Sequence, residues 1–228
     1  MNPERVATAA PGRHPIDADG IWREPRAAPL SAADRGALFL DRDGTVIELV
    51  HYLHDPAEVR LIKTAGPLVA AANRRGIPVV LVTNQSGIGR GYFGWDGFAA
   101  VQASVDQALA DAGGRLDAIY ACPHLPGALQ PEPGDDPPWR KPNSGMLLRA
   151  ADDLGIALKA SWIAGDSVSD IEAGKRAGLA RGWLMPTGYG SRDVDEARAL
   201  VATDFDVVVG RGLDVLLNEL DGLALSPA

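Results

Sequence analysis

The sequence predicts an α/β fold built on a doubly wound parallel sheet, and three observations carry that expectation. From residue 37 onward, short apolar runs alternate with helical patterns. The polar residues able to do chemistry recur just past the carboxyl ends of those runs, where open α/β sheets bind ligands. A chain of 228 residues with 46% hydrophobic content also has enough apolar surface to bury one substantial α/β core.

Strands are expected at Ala37–Leu40, Val79–Val82, Ile119–Ala121, Ser161–Ala164, Gly182–Leu184 and Val207–Val209. Helices are expected at Ala65–Arg75, Phe98–Ala112, Met146–Leu154, Val168–Ala177 and Leu213–Leu220. Alternation of this kind implies strands buried on both faces beneath helices. Residues 1–36 carry prolines and scattered charge without a sustained period. They are expected to form a loosely ordered extension, with Trp22 the side chain able to pin it to the body. Residues 37–220 then make up the domain and 221–228 a short tail. Residues 123–142 read as a proline-rich loop.

Composition narrows the function. A formal charge of −8 argues against polyanionic partners such as nucleic acid. The single cysteine, Cys122, excludes an intrachain disulfide and favours an intracellular setting. No apolar run approaches membrane-spanning length, and the first thirty-odd residues have no apolar core of a secretory signal. A cytoplasmic enzyme without nucleic-acid or membrane partners is expected; no pattern specifies an oligomeric state.

Four motifs fall in order. Phe39-Leu40-Asp41-Arg42-Asp43-Gly44-Thr45 delivers two carboxylates one residue apart at a strand end. In an extended segment, residues i and i+2 point the same way, so Asp41 and Asp43 converge. Like charges that close call for a cation or a shared proton, and a hard ion such as Mg²⁺ also draws in phosphate. A strand run then ends in Thr83-Asn84-Gln85-Ser86-Gly87, Arg140-Lys141-Pro142 precedes a helical stretch, and Ser161-Trp162-Ile163-Ala164 ends in Gly165-Asp166 with Asp170 four residues on.

This set, D-x-D-G-T, Thr, Lys and G-D-x-x-x-D, resembles the haloacid dehalogenase superfamily of phosphatases from about Leu38 to Asp170. The resemblance implies Asp41 as a nucleophile forming an aspartyl-phosphate and Asp43 as general acid and base. It implies Mg²⁺ held by Asp41, the backbone carbonyl of Asp43 and Asp166. Asp170 would stand in a second layer, orienting Lys141 or a water. Thr83 and Lys141 would clamp the phosphoryl oxygens. Members often carry a cap domain, but residues 46–63 and 87–140 leave room only for a flap and for ordinary elements, so a capless architecture is expected.

Thr83 to Phe93 and His51-Tyr52-Leu53-His54 are similar to the D-glycero-D-manno-heptose 1,7-bisphosphate 7-phosphatases and their relatives, the histidinol-phosphate phosphatases. That likeness implies a small sugar-phosphate substrate contacted by Tyr52, Asn84, Gln85, Ser86 and Arg140, with Arg90 a further cation for a second phosphate. A histidinol-phosphate or other small phosphomonoester phosphatase is the alternative, and a non-catalytic phospho-accepting module the remote one. Many of these relatives hold a structural zinc through C-x-H and C-x-C. Here Cys122-Pro123-His124 keeps the first half, while Pro137-Pro138-Trp139 replaces the second, so zinc is expected to be absent.

Overall fold

The computed structural model describes residues 14–30, 35–125 and 138–224. Seven strands form one sheet: β1 (Trp22–Pro25), β2 (Leu38–Leu40), β3 (Val79–Asn84), β4 (Ala118–Cys122), β5 (Trp162–Gly165), β6 (Arg181–Leu184) and β7 (Asp206–Val209). Their order is β1-β4-β3-β2-β5-β6-β7. All neighbours are parallel except β1, which pairs antiparallel with β4 at one edge. The helices are α1 (Ala65–Arg74), α2 (Ser86–Gly89), α3 (Trp95–Asp111), α4 (Gly145–Leu154), α5 (Val168–Ala177), α6 (Val194–Arg198) and α7 (Leu213–Ala224).

Strand residues alternate between two cores because successive side chains leave a sheet on opposite faces. Leu38, Leu40, Val79, Leu81 and Trp162 join residues of α1, α3 and α7 in one core. Phe39, Val80, Val82, Ile163 and Leu184 join residues of α4, α5 and α6 in the other. Both faces are covered, which is why the central strands read as unbroken apolar runs.

The topology places the site. β2 lies between β3 and β5, with Leu40 opposite Leu81 and Ala164. The chain leaves β2 toward β3 on one side and returns to β5 on the other, so the strand order reverses at β2. Connecting loops diverge at such a switch point and open a crevice beyond the carboxyl ends. Asp41 follows β2, Thr83 lies at the end of β3, and Asp166 follows β5.

The structure differs from expectation at both ends. Residues 14–30 belong to the domain: β1 completes the sheet, and Ile21 and Trp22 are buried. Trp22 packs against Trp95 and Phe98 at 5.7 and 5.0 Å between ring centroids. Arg23 pairs with Asp153, which also accepts from the Tyr120 hydroxyl at 2.7 Å. A four-residue strand holding Arg, Glu and Pro lacks an apolar pattern, so neighbours rather than propensity order it. Residues 1–13 and 31–34 of the expected extension lie outside the described residues. At the other end α7 continues through Ala224, so the first residues of the expected tail are helical. The described residues between β2 and α1, and between β3 and β4, contain loops and helical elements but no cap domain.

Trp22→Ala should lower unfolding free energy by about 3–5 kcal/mol in urea titrations, the usual loss for truncating a buried aromatic. A loosely held arm would give a change within roughly 0.5 kcal/mol.

Candidate active site

A cavity of ≈ 310 Å³ opens at the switch point, lined among others by Asp41, Asp43, Thr83, Lys141, Asp166 and Asp170. The Asp41 amide donates to the Ala164 carbonyl at 3.0 Å, extending the β2–β5 ladder by one bond and fixing where the carboxylate emerges. Lys141 is buried, and its Nζ donates to Asp41 Oδ1 at 2.6 Å, Asp170 Oδ1 at 2.6 Å and the Val82 carbonyl at 2.7 Å. All three ammonium protons are thereby engaged.

Asp170 reaches Lys141 from the first turn of α5. Its Oδ2 accepts from the Ser167 amide at 3.1 Å in a capping box that anchors the helix start. Asp166 is walled by two glycines in the left-handed region, Gly44 at φ 87 and Gly188 at φ 50; a Cβ at either would overlap its carboxylate. The Tyr189 amide donates to Asp166 Oδ2 at 3.1 Å.

Asp41, Asp166 and Asp170 are all buried, with carboxylate oxygens within 4.8 Å of one another. Burial raises Asp41 well above the ordinary carboxylate range, and the neighbouring acids add to that against the pull of Lys141. Burial, then Asp170, pushes Asp166 up to about 7. Desolvation alone would lower the Lys141 pKa, but Asp170 and Asp41 outweigh it and hold the ammonium above its ordinary value. Three carboxylates against one ammonium leave a deficit of two positive charges. A divalent, oxygen-preferring cation such as Mg²⁺ fits that donor set.

Asp43 stands on the wall of the cavity, where Gln85 Nε2 donates to its Oδ2 at 2.7 Å and to Thr83 Oγ1 at 2.9 Å. Gln85 thus ties the acid to the threonine. Asn84 lines the cavity, but its amide makes a reciprocal pair with the backbone of Lys141: Nδ2 donates to the carbonyl at 3.0 Å, and Oδ1 accepts from the amide at 3.1 Å. It positions the lysine loop, which the expected substrate contact did not anticipate. Ser86, the first residue of α2, and Arg140 line the cavity; Arg140 Nη1 donates to the His124 carbonyl at 3.1 Å. Arg90 caps the carboxyl end of α2, is exposed and is not among the residues that line the cavity.

Tyr52 lines the mouth at φ 54, an uncommon conformation for a bulky residue. The His54 Nδ1 donates to the Tyr52 carbonyl at 2.9 Å, and Tyr92 meets the Tyr52 ring edge-on at 4.6 Å. Two residues escaped the sequence reading. Gly188 carries no motif, but it follows a strand end on the binding side of the sheet, the position where close approach is expected. Arg42 has no assigned part in the first motif, although an arginine beside two acids at the end of a buried strand must find an anion.

Comparison with known proteins agrees with this geometry. Residues 138–208 match the HAD-hydrolase-like family model. The chain is 48% identical over 172 residues to D-glycero-beta-D-manno-heptose-1,7-bisphosphate 7-phosphatase of Mesorhizobium japonicum, covering 75% of this chain and 79% of the relative. It is 40% identical over 152 residues to the enzyme of that name from Yersinia pestis, covering 67% and 81%. Among solved structures, D,D-heptose 1,7-bisphosphate phosphatase from B. bronchiseptica, complexed with magnesium and phosphate, superposes with a TM-score of 0.69 at 31% identity, covering 81% of this chain and 97% of that one. A HAD-like protein from Mesorhizobium loti gives 0.77 at 41% identity, covering 92% and 97%. The chain belongs to the haloacid dehalogenase superfamily and is one of its phosphatases, a phosphoric monoester hydrolase. No helix among the described residues is long and apolar enough to cross a membrane.

Without a divalent cation, an Asp166 carboxyl titrating near 7 instead of 3.8 makes the folded protein bind a proton that the unfolded chain releases. Its contribution to stability should therefore decline as pH rises from about 4 to about 7. Thermal unfolding in EDTA should show a steeper decline for the natural protein than for Asp166→Asn, and Mg²⁺ at alkaline pH should raise the Tm of the natural protein more. Identical pH profiles would mean that Asp166 is already ionised in the metal-free fold.

Proposed function

We propose that this phosphatase removes the 7-phosphate of D-glycero-D-manno-heptose 1,7-bisphosphate in the cytoplasm, using Mg²⁺ and an aspartyl-phosphate intermediate. The observation that carries the reading is the Asp41–Lys141–Asp170 ion-pair cluster at the floor of the cavity, with Asp43 and Thr83 beside it. Its presence in a chain so similar to enzymes named for that substrate supports the choice of sugar.

In this mechanism Asp41 attacks phosphorus opposite the ester oxygen. As the Asp41–phosphorus bond forms, the phosphorus–ester bond breaks, and its electron pair goes to the ester oxygen, which takes a proton from Asp43. Thr83 donates a hydrogen bond to a phosphoryl oxygen as charge builds on it, and Lys141 does so by exchanging its present bond to Asp41 while keeping those to Asp170 and the Val82 carbonyl. Asp43 then removes a proton from a water that attacks the aspartyl-phosphate, releasing phosphate and restoring Asp41. Asp41, Asp166 and the Asp43 carbonyl would hold Mg²⁺, which supplies positive charge to the transferring group. Tyr52, Ser86 and Arg140 would meet the remainder of the substrate. We also hold that the loop before Lys141 works without zinc. His124 Nε2 is engaged with the Asp19 carbonyl at 3.1 Å, and Cys122 is the single cysteine, so the further thiolates of a closed zinc shell are lacking.

A screen of sugar bisphosphates, sugar monophosphates and histidinol phosphate tests the substrate, and preference for histidinol phosphate would overturn it. EDTA should abolish turnover. Asp41→Asn should fall to background, whereas Asp43→Asn should bind substrate and lose about 10²–10⁴-fold in kcat. Near-normal turnover in Asp41→Asn would reject it as nucleophile.

Arg140→Ala should raise KM for the bisphosphate about tenfold, the usual worth of a charged hydrogen bond, and change KM for a simple monophosphate less. Equal changes on both substrates would show that Arg140 only shapes its loop.

A further inference from the structure

Arg42, between the two carboxylates of the first motif, is 1% exposed, and among the described residues only Trp183 is a larger fully buried side chain. Its Nε lies 3.3 and 3.2 Å from Asp43 Oδ1 and Oδ2, and its Nη2 lies 3.2 and 3.0 Å from the same two atoms. Nη1 is buried with no partner among the described residues. The guanidinium is therefore not satisfied evenly; it is aimed at Asp43. Filling that space with an apolar side chain would be the less demanding solution if packing were all that mattered.

The guanidinium has a firm backing. It lies over the Phe98 ring, 5.1 Å from the centroid. Phe98 is in turn met edge-on by Trp22 at 5.0 Å and Trp95 at 5.5 Å. An aromatic pillar thus runs from β1 to Arg42, and Arg42 bears on Asp43. Gln85 holds the same carboxylate from the cavity side through Oδ2 at 2.7 Å. Oδ2 receives the shorter contacts from both residues, and Oδ1 only the two longer ones from Arg42.

We propose that Arg42 is a positioning residue for proton transfer: backed by the Phe98 pillar, it holds Asp43 in the rotamer that presents Oδ1 to the ester oxygen of the substrate. This rests on the reading of Asp43 as general acid. In the step it serves, Asp41 bonds to phosphorus, the ester bond breaks toward oxygen, and that oxygen receives the Asp43 proton. A sugar alkoxide needs the proton in order to leave, whereas 4-nitrophenolate is stable as an anion and leaves without it.

The test compares kcat/KM for the sugar bisphosphate and for 4-nitrophenyl phosphate, a ratio that reports the steps up to transfer onto Asp41. Arg42→Gln should lose about tenfold or more on the sugar and less than about threefold on the aryl ester, a fraction of the ~10²–10⁴-fold that a positioned proton donor supplies. Arg42→Lys, which keeps the charge and loses the planar hold, should show the same selectivity. Phe98→Leu leaves Arg42 and Asp43 in place and removes the backing, so it should show a weaker form of the pattern even if the Arg42 variants fail to fold. Equal losses on both substrates, or none, would overturn the proposal. Asp43→Asn is measured in parallel. If it is leaving-group selective and Arg42→Gln is not, the role of Arg42 fails alone; if Asp43→Asn is itself unselective, the general-acid reading fails and takes the proposal with it.

Discussion

A single buried ammonium organises this protein. Lys141 Nζ sits 2.6 Å from both Asp41 and Asp170, and among the described residues no other cation pairs with the buried acids Asp41, Asp166 and Asp170. Removing one partner of a buried ion pair commonly costs about 3–5 kcal/mol, because the other is left uncompensated in a poorly polarisable interior. The elements around the cluster serve that contact. The ladder bond from the Asp41 amide to Ala164 sets one carboxylate, and the capping box of α5 sets the other. The Val82 carbonyl, toward the carboxyl end of β3, accepts the third hydrogen bond. Folding and charge placement are one problem here, since the residues that order the crevice also carry its electrostatics.

The sheet was legible in the sequence because parallel strands buried on both faces cannot avoid apolar runs. Trp162 and Ile163 serve opposite cores, so no polar position interrupts them. Asp41, Asp43, Asp166 and Lys141 were legible because strand ends and fixed spacings position them. Residues whose role depends on distant partners were harder to read. β1 is ordered by Tyr120, Asp153 and the α3 aromatics, all of them far along the chain from it. Asn84 and Gln85 look like substrate contacts in a polar run after a strand, yet their amides are committed to Lys141 and to Asp43 with Thr83. Asparagine has two ends to satisfy, and a sequence does not say whether protein or ligand will satisfy them.

The mouth differs in character from the floor. Tyr52 and Phe93 line it beside Leu49 and Val50, and Tyr92 packs against Tyr52, so charge lies deep while flat apolar surface lies outside. A polar molecule with one less polar face suits such a gradient: its phosphate descends into the charged end and its carbon framework rests against the rings. With loops for a roof, the substrate body supplies part of the exclusion of water that a cap would otherwise provide.

The reciprocal amide pair between Asn84 and the Lys141 backbone also bears on how this site is held together. It fastens the lysine backbone to the end of β3 directly, through two hydrogen bonds from one side chain. The arrangement ties the reactive ammonium to the sheet, and so couples its place to β3 rather than to chain neighbours alone.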